Sequence, residues 1–278
     1  MAEPTTERVR VLVTNDDGIS APGLRHLAGA AVAEGFDVTV AAPLDESSGI
    51  SAAMTAVVDN GRVVVGRREL STLEGVRTFG VGASPGYIVM LATLGAFGPK
   101  PDIVLTGINR GANAGNAVLH SGTVGAALTA ASAGLRAMAV SLDVLTPATA
   151  SSASGEAAIA ALDEVDDESR NWTTAGSLAR RMLEHLDELP IGTVINLNVP
   201  DRAPDQVRGL RRAELARFGQ VTMTTAEAGE GYLRTQIQES EAQPDAGTDL
   251  ALLAEGWATV TPIRTIESAD VELTLPQP

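Results

Sequence analysis

The chain opens on alternating blocks of apolar and polar residues. Val9-Arg10-Val11-Leu12-Val13-Thr14 is a short β-branched run that stops at Asn15-Asp16-Asp17-Gly18, the pattern of a buried strand ending in a turn. Pro22 then stands where a first helical turn tolerates it, and an Ala- and Leu-rich segment runs to Glu34 before Gly35 stops it, so a helix is expected there. Asp37-Val38-Thr39-Val40-Ala41-Ala42 supplies a second strand. The same rhythm returns downstream: Ile103 to Thr106 is strand-like, Gly122 to Ala133 a small-residue helix, and Ala137 to Leu142 a strand. Leu178 to Leu189 has helical spacing, and Thr193 to Val199, closed by Pro200, is a late strand at which the parallel sheet is expected to end. Short apolar strands joined by crossover helices predict an α/β fold, a Rossmann-like three-layer sandwich whose mostly parallel sheet is covered on both faces.

Three segments break the rhythm. Ala56 to Asp59 and Arg62 to Val65 flank Asn60-Gly61, a two-residue signal for an antiparallel hairpin. Thr146 to Asp167 is rich in Ala, Ser, Thr and acids without periodicity and is expected to be a surface insertion. Residues 201–250 are polar and interrupted and are read as a hairpin or arm extending the C-terminal part, before strand character returns over Trp257 to Ile263. No fixed-period repeat, Walker loop or Gly-x-Gly-x-x-Gly after a strand is present in the sequence, which argues against solenoids, nucleotide kinases and nicotinamide enzymes.

Composition narrows the chemistry. At 278 residues the chain is expected to form one main domain, since single cores grow to roughly 250 residues before splitting. With no cysteine, disulfides, thiolate zinc and cysteine nucleophiles are excluded, and any metal must sit on oxygen or histidine. The net charge of −15 works against long nucleic acid, whose affinity is built from many Lys and Arg contacts, but leaves room for a small phosphorylated ligand beside a metal ion. The polar start from Met1 to Arg8 and the lack of an apolar run of about 18 residues predict a cytoplasmic protein with no membrane partner.

The candidate chemistry lies in the loops that follow the strands, where open α/β sheets bind ligands. Asp16 and Asp17 are adjacent carboxylates that repel unless a cation lies beside them, and hard divalent cations take such oxygen ligands; the same residues would also make an Asx turn capping the next helix. Asp45-Glu46-Ser47-Ser48-Gly49 follows the second strand and reads equally as a solvated turn. Thr106 to Gly115 packs glycines and amides into one loop that runs on to Ser121-Gly122-Thr123 at a helix start. Free N–H groups and the helix dipole favour a phosphate there, although an ordinary Ser or Thr N-cap fits the same residues.

Taken together the segments resemble the survival protein E (SurE) family of 5'/3'-nucleotidases. The resemblance rests on Val11 to Gly18 with Ala21-Pro22-Gly23, on Ala42-Pro43 with Ser48-Gly49, and on Pro101 to Thr123. It extends through Ile195 to Pro200 and Thr248 to Pro262. It implies that Asp16, Asp17, Ser48 and Asn109 ligate one divalent cation per subunit, Mg²⁺ or Mn²⁺, in keeping with an all-oxygen set. It further implies that Asp16 and Asp17 serve catalysis, that Asn113, Ser121, Gly122 and Thr123 hold the phosphate of a nucleoside monophosphate, and that the chain forms a homodimer or a dimer of dimers through residues 201–250.

Three positions depart from the family pattern. Its Gly-Thr-Pro-x-Asp-Cys stretch stands here as Gly82 to Tyr87, with Gly86 in the carboxylate's place; His120 replaces a Tyr before Ser-Gly-Thr; and Thr129 stands for a Glu. His120 beside the phosphate loop is a candidate proton donor or a structural side chain, and His26 and His185 are expected on helices without a role. Two other functions remain compatible with the sequence: a nucleotide-sugar-dependent transferase, and a nucleotide-binding protein without turnover.

Overall fold

The structure, a computed structural model, describes residues 8–46, 51–59, 61–145, 166–218, 221–229, 232–239, 243–268 and 272. The strands are β1 (Arg10–Thr14), β2 (Asp37–Pro43), β3 (Val58–Asp59), β4 (Arg62–Val63), β5 (Val65–Arg67), β6 (Arg77–Val81), β7 (Ile103–Arg110), β8 (Arg136–Asp143), β9 (Thr193–Pro200), β10 (Leu210–Arg212), β11 (Val221–Gly229), β12 (Tyr232–Glu239) and β13 (Ala258–Arg264). The helices are α1 (Pro22–Ala33), α2 (Pro85–Thr93), α3 (Gly122–Ser132), α4 (Trp172–Leu183) and α5 (Asp249–Ala254).

Nine strands form one sheet in the order β10-β13-β9-β8-β7-β1-β2-β6-β5. The six from β6 to β9 are mutually parallel. β5 and β13 are antiparallel additions at either side, so the parallel run does end at β9. The chain leaves β1 toward β2 and β6, then crosses back to β7 on the other side. The strand order therefore reverses between β1 and β7, which opens a crevice at their carboxyl ends.

Alternation along the strands feeds two cores. Val11 and Val13 of β1 face one side with Leu24, Leu27 and Ala28 of α1 and Trp172, Ala175 and Ala179 of α4, while Leu12 faces the other side. There, Ala126, Ala127 and Ala130 of α3 pack near Ala137 and Ala139 of β8; small side chains on both partners let α3 lie close against the sheet and carry its N-terminus to the crevice. Leu27 is fully buried, so its truncation to Ala costs about 2–5 kcal/mol.

Several expectations are adjusted. β7 runs four residues beyond Thr106 because, after an irregularity, Asn109 and Arg110 pair again with Ser141 and Leu142 of β8; the ligand loop therefore begins at Gly111. The expected helix at Leu178 begins at Trp172, whose buried indole anchors a first turn of Thr, Ala, Gly and Ser, and it ends at Leu183. His185 consequently lies past the helix, beside Glu188 at 3.3 Å, whereas His26 is on α1. β5, β6 and α2 carry no clear periodicity and were not anticipated. The hairpin expected at Asn60-Gly61 pairs Val58 with Val63 and Asp59 with Arg62; Asn60 lies outside the described residues. Among the described residues of 201–250, β11 and β12 form a hairpin, while β10 joins the sheet and α5 begins at Asp249. Of the expected insertion, residues 146–165 lie outside the described residues, and Asp167 opens a short 3-10 turn.

Candidate active site

β1 delivers Asp16 and Asp17 to the crevice. Asn15 shapes the turn by donating from Nδ2 to the Gly18 carbonyl at 3.0 Å. Asp16, 4% exposed, is docked against the first turn of α3, where its Oδ1 accepts from the Thr123 hydroxyl. Gly122 permits this approach: a Cβ at that position would lie 2.7 Å from Asp16 Oδ2. The Thr123 hydroxyl also lies 3.3 Å from Asn109 Oδ1, so Asp16, Asn109, Gly122 and Thr123 meet at one point. Asp17 accepts from the Arg110 backbone N–H at 3.1 Å.

Burial raises the Asp16 carboxyl above its ordinary value, against the lowering effect of the Thr123 hydrogen bond. Asp17 is pushed up to about 7, first by burial and then by the neighbouring Asp16, with Glu46 and Asp167 acting in the same direction and the Arg110 N–H opposing them. Two crowded carboxylates that resist ionisation together are the electrostatic condition a divalent cation relieves. The donors are all oxygens and the Asn109 side-chain oxygen converges on the same point, so the residues present fit a hard cation. Among the described residues no group of three or more His, Asp or Glu side chains forms a metal cluster, and the candidate ligands include only two carboxylates. Ser48 lies outside the described residues.

The remaining candidates are placed as follows. Ser121 is the N-cap of α3, its Oγ accepting from the Val124 N–H at 3.0 Å. Asn113 is clamped: its N–H donates to Asn198 Oδ1 at 2.8 Å, its carbonyl accepts from Asn196 and Asn198, and its Nδ2 donates to Ser141 Oγ at 2.9 Å. His120 is exposed at the end of the 3-10 turn preceding α3. Thr129 donates to the Gly125 carbonyl at 2.8 Å, and a Cβ on Gly86 would lie 3.3 Å from its hydroxyl, so both departures sit at the α2–α3 contact. Pro85 opens α2.

Residue-level reading of the sequence passed over Asn196, Asn198, Ser141 and the Arg110 network. Asn196 and Asn198 are fully buried on one face of β9, and the signal for them was two amides spaced i, i+2 in an otherwise apolar strand. Arg110 pairs with Asp167 at 3.2 Å, and Asp167 with the buried Arg170, which reaches Asp201. This chain of charges joins sequence-distant segments at the carboxyl ends of β7 to β9, and no local pattern announces it.

Over most of its length the chain is similar to known proteins. The family model described as Survival protein SurE matches residues 11–224. A 5'/3'-nucleotidase SurE of Edwardsiella ictaluri is 33% identical over 92% of this chain and 90% of its own length. A 5'-nucleotidase SurE of Nitratidesulfovibrio vulgaris is 36% identical over 91% of this chain and 86% of its own. Among solved structures, a SurE protein from Aquifex aeolicus superposes with a TM-score of 0.68 at 23% identity, covering 92% of this chain and 93% of that one. That last likeness speaks for the α/β fold alone.

Proposed function

We propose that this chain, which belongs to the survival protein SurE family, is a nucleotidase that hydrolyses the phosphomonoester of nucleoside monophosphates with the help of a divalent cation. The observation that carries the reading is the docking of the buried Asp16, with the half-buried Asp17 beside it, onto the N-terminus of α3 through Gly122 and Thr123. Relatives bearing the nucleotidase name over nine-tenths of the chain support the same activity.

Asp16, Asp17, Asn109 and Ser48 would hold the cation, Mg²⁺ or Mn²⁺. When bound, the cation supplies charge neutralisation at the phosphate and lowers the pKa of a water. The chain's own residues do the rest. Thr123 fixes the rotamer of Asp16, and the Arg110 N–H holds one oxygen of Asp17 in place. Ser121, Gly122 and Thr123 present the positive end of the α3 dipole to the phosphate oxygens. Asn113, with its backbone locked by Asn196 and Asn198, borders the same crevice. Asp16 and Asp17 orient the attacking water.

The chain is proposed to act as one nucleotidase domain in the cytoplasm, with 146–167 as a surface insertion. The β11–β12 hairpin within 201–250 is the proposed contact of a homodimer or dimer of dimers. Among the described residues no helix is long and apolar enough to cross a membrane.

The test is phosphate release from a panel of nucleoside monophosphates and p-nitrophenyl phosphate with Mg²⁺, with Mn²⁺, and after chelation. Chelator-sensitive release is expected. No release with any metal, combined with tight nucleotide binding, overturns the reading in favour of a binding protein, and a glycosylated product would identify a transferase.

A further inference from the structure

Asp249 has no place in the proposed chemistry, yet it is among the most completely buried charged residues of the described chain, with no exposed surface. It opens α5. Its Oδ2 accepts from the Gly115 N–H at 2.8 Å, and its Oδ1 accepts from Ala216 and from Leu250, both at 2.9 Å. Its own N–H donates to the Glu214 carbonyl at 2.8 Å. One side chain thus ties three segments: the loop that follows β7, the segment that runs into β11, and α5. Burial raises this carboxyl above its ordinary value, while the N–H groups of Gly115, Ala216, Leu250 and Asp249 itself oppose that effect.

The contact between the loop and the segment is close on other grounds. A Cβ on Gly115 would overlap the Phe218 carbonyl. Asn116 donates from Nδ2 to the Arg217 carbonyl at 2.5 Å. Ala114, Ala216, Leu250 and Leu253 form a separate small core around the joint, with Phe218 packed on it. On one side of Gly115 the chain reaches Asn113, and on the other it runs through a single 3-10 turn to the Ser121 cap of α3.

We infer that Asp249 is a positioning residue: its buried carboxylate fastens the anion-side loop to the chain entering the β11–β12 hairpin, so loop geometry and hairpin anchoring depend on one side chain. This rests on the phosphatase reading for its effect on phosphate and on geometry alone for the joint. Asp16 and Asp17 come from a different loop and are untouched by it.

The test compares the full-length protein with Asp249→Asn and Asp249→Ala. Amide exchange is read at Gly115 and Ala216, Mn²⁺ affinity is measured without substrate, and inorganic phosphate is titrated into the Mn²⁺-loaded protein. Asparagine keeps the shape and one acceptor but turns an N–H toward a donor, so it serves where alanine fails to fold. Expected for Asp249→Asn are faster exchange at both amides and phosphate affinity and KM weakened by about tenfold, with kcat and Mn²⁺ affinity within about threefold. Unchanged exchange overturns the joint. Faster exchange with unchanged phosphate affinity overturns the positioning role. A wild-type protein that neither binds nor releases phosphate defeats the phosphatase reading instead, and the exchange rates still decide whether Asp249 holds the loop.

Discussion

The two ends of β1 treat the same residue type in opposite ways. At the amino ends of the strands, acids are matched with arginines: Arg10 bonds Asp102 through Nε at 3.0 Å and Nη2 at 2.8 Å, Arg77 reaches Asp37, and Arg136 reaches Asp187. Arg10 holds the Asp102 carboxyl below its ordinary value. Six and seven residues on from Arg10, just past the carboxyl end of the same strand, Asp16 is raised by burial and Asp17 by burial and by Asp16. One end is electrostatically complete within the chain. The other carries the carboxylates proposed to hold a cation, which sets the part of the molecule built for stability apart from the part proposed for chemistry.

The strongest way to break this contrast is to remove the carboxylates. Asp16→Ala or Asp17→Ala is expected to cut metal-dependent phosphate release by at least about a thousandfold, since a catalytic cation is worth several kcal/mol, with the circular dichroism spectrum unchanged. Near-wild-type turnover in both would end the assignment.

Gly122→Ala comes next. Its methyl meets Asp16 Oδ2 at 2.7 Å, and displacing the carboxylate by that overlap is expected to cost about a hundredfold in kcat/KM with the expression level retained. A full-activity variant would show that Asp16 need not dock on α3.

The pH dependence sharpens the comparison further. Because Asp17 titrates at about 7 in the metal-free fold, Mn²⁺ must displace its proton, and affinity should weaken about tenfold between pH 8 and pH 6. Calorimetry in two buffers of different ionisation enthalpy would detect the released proton. The sign for stability is the reverse of an ordinary ion pair. The folded state holds this proton more tightly than the unfolded one, so metal-free stability falls as pH rises from about 4 to about 7. Asp17→Asn should therefore raise the melting temperature of metal-free protein at pH 8 by a few degrees, and a lowered value would contradict the strain assigned to the pair.

The smallest effect belongs to the other end. Asp102→Asn removes an exposed pair worth about 0–1 kcal/mol, so the melting temperature should fall by no more than about 2 °C with phosphate release unchanged. A large loss of activity would mean that the amino edge communicates with the site.

Much of this was legible beforehand because it is local. The helix starting on Pro22, the strand from Asp37 and the turn after Thr14 follow from apolar spacing and punctuation that act within a few residues. β6 escaped because Arg77 to Val81 is short and mixed, and it becomes a strand by pairing with β2 on one side and β5 on the other. The start of the helix at Trp172, ahead of the expected Leu178, escaped because its first turns are Thr, Ala, Gly and Ser, and its stability comes from burying the indole rather than from propensity.

The sequence by itself determined which residues are available for chemistry: two adjacent acids after a strand, amides and glycines after another, and an all-oxygen donor set in a chain without cysteine. Only the tertiary structure decided that Asp16 rests on Gly122 and Thr123, that Asn196 and Asn198 clamp Asn113, and that Asp249 ties Gly115 to Ala216. The reason is physical. Strand and helix signals are carried by neighbours in the chain, whereas the desolvation that shifts a carboxyl and the approach that excludes a Cβ arise between segments brought together by the sheet order, at sequence separations no local pattern encodes.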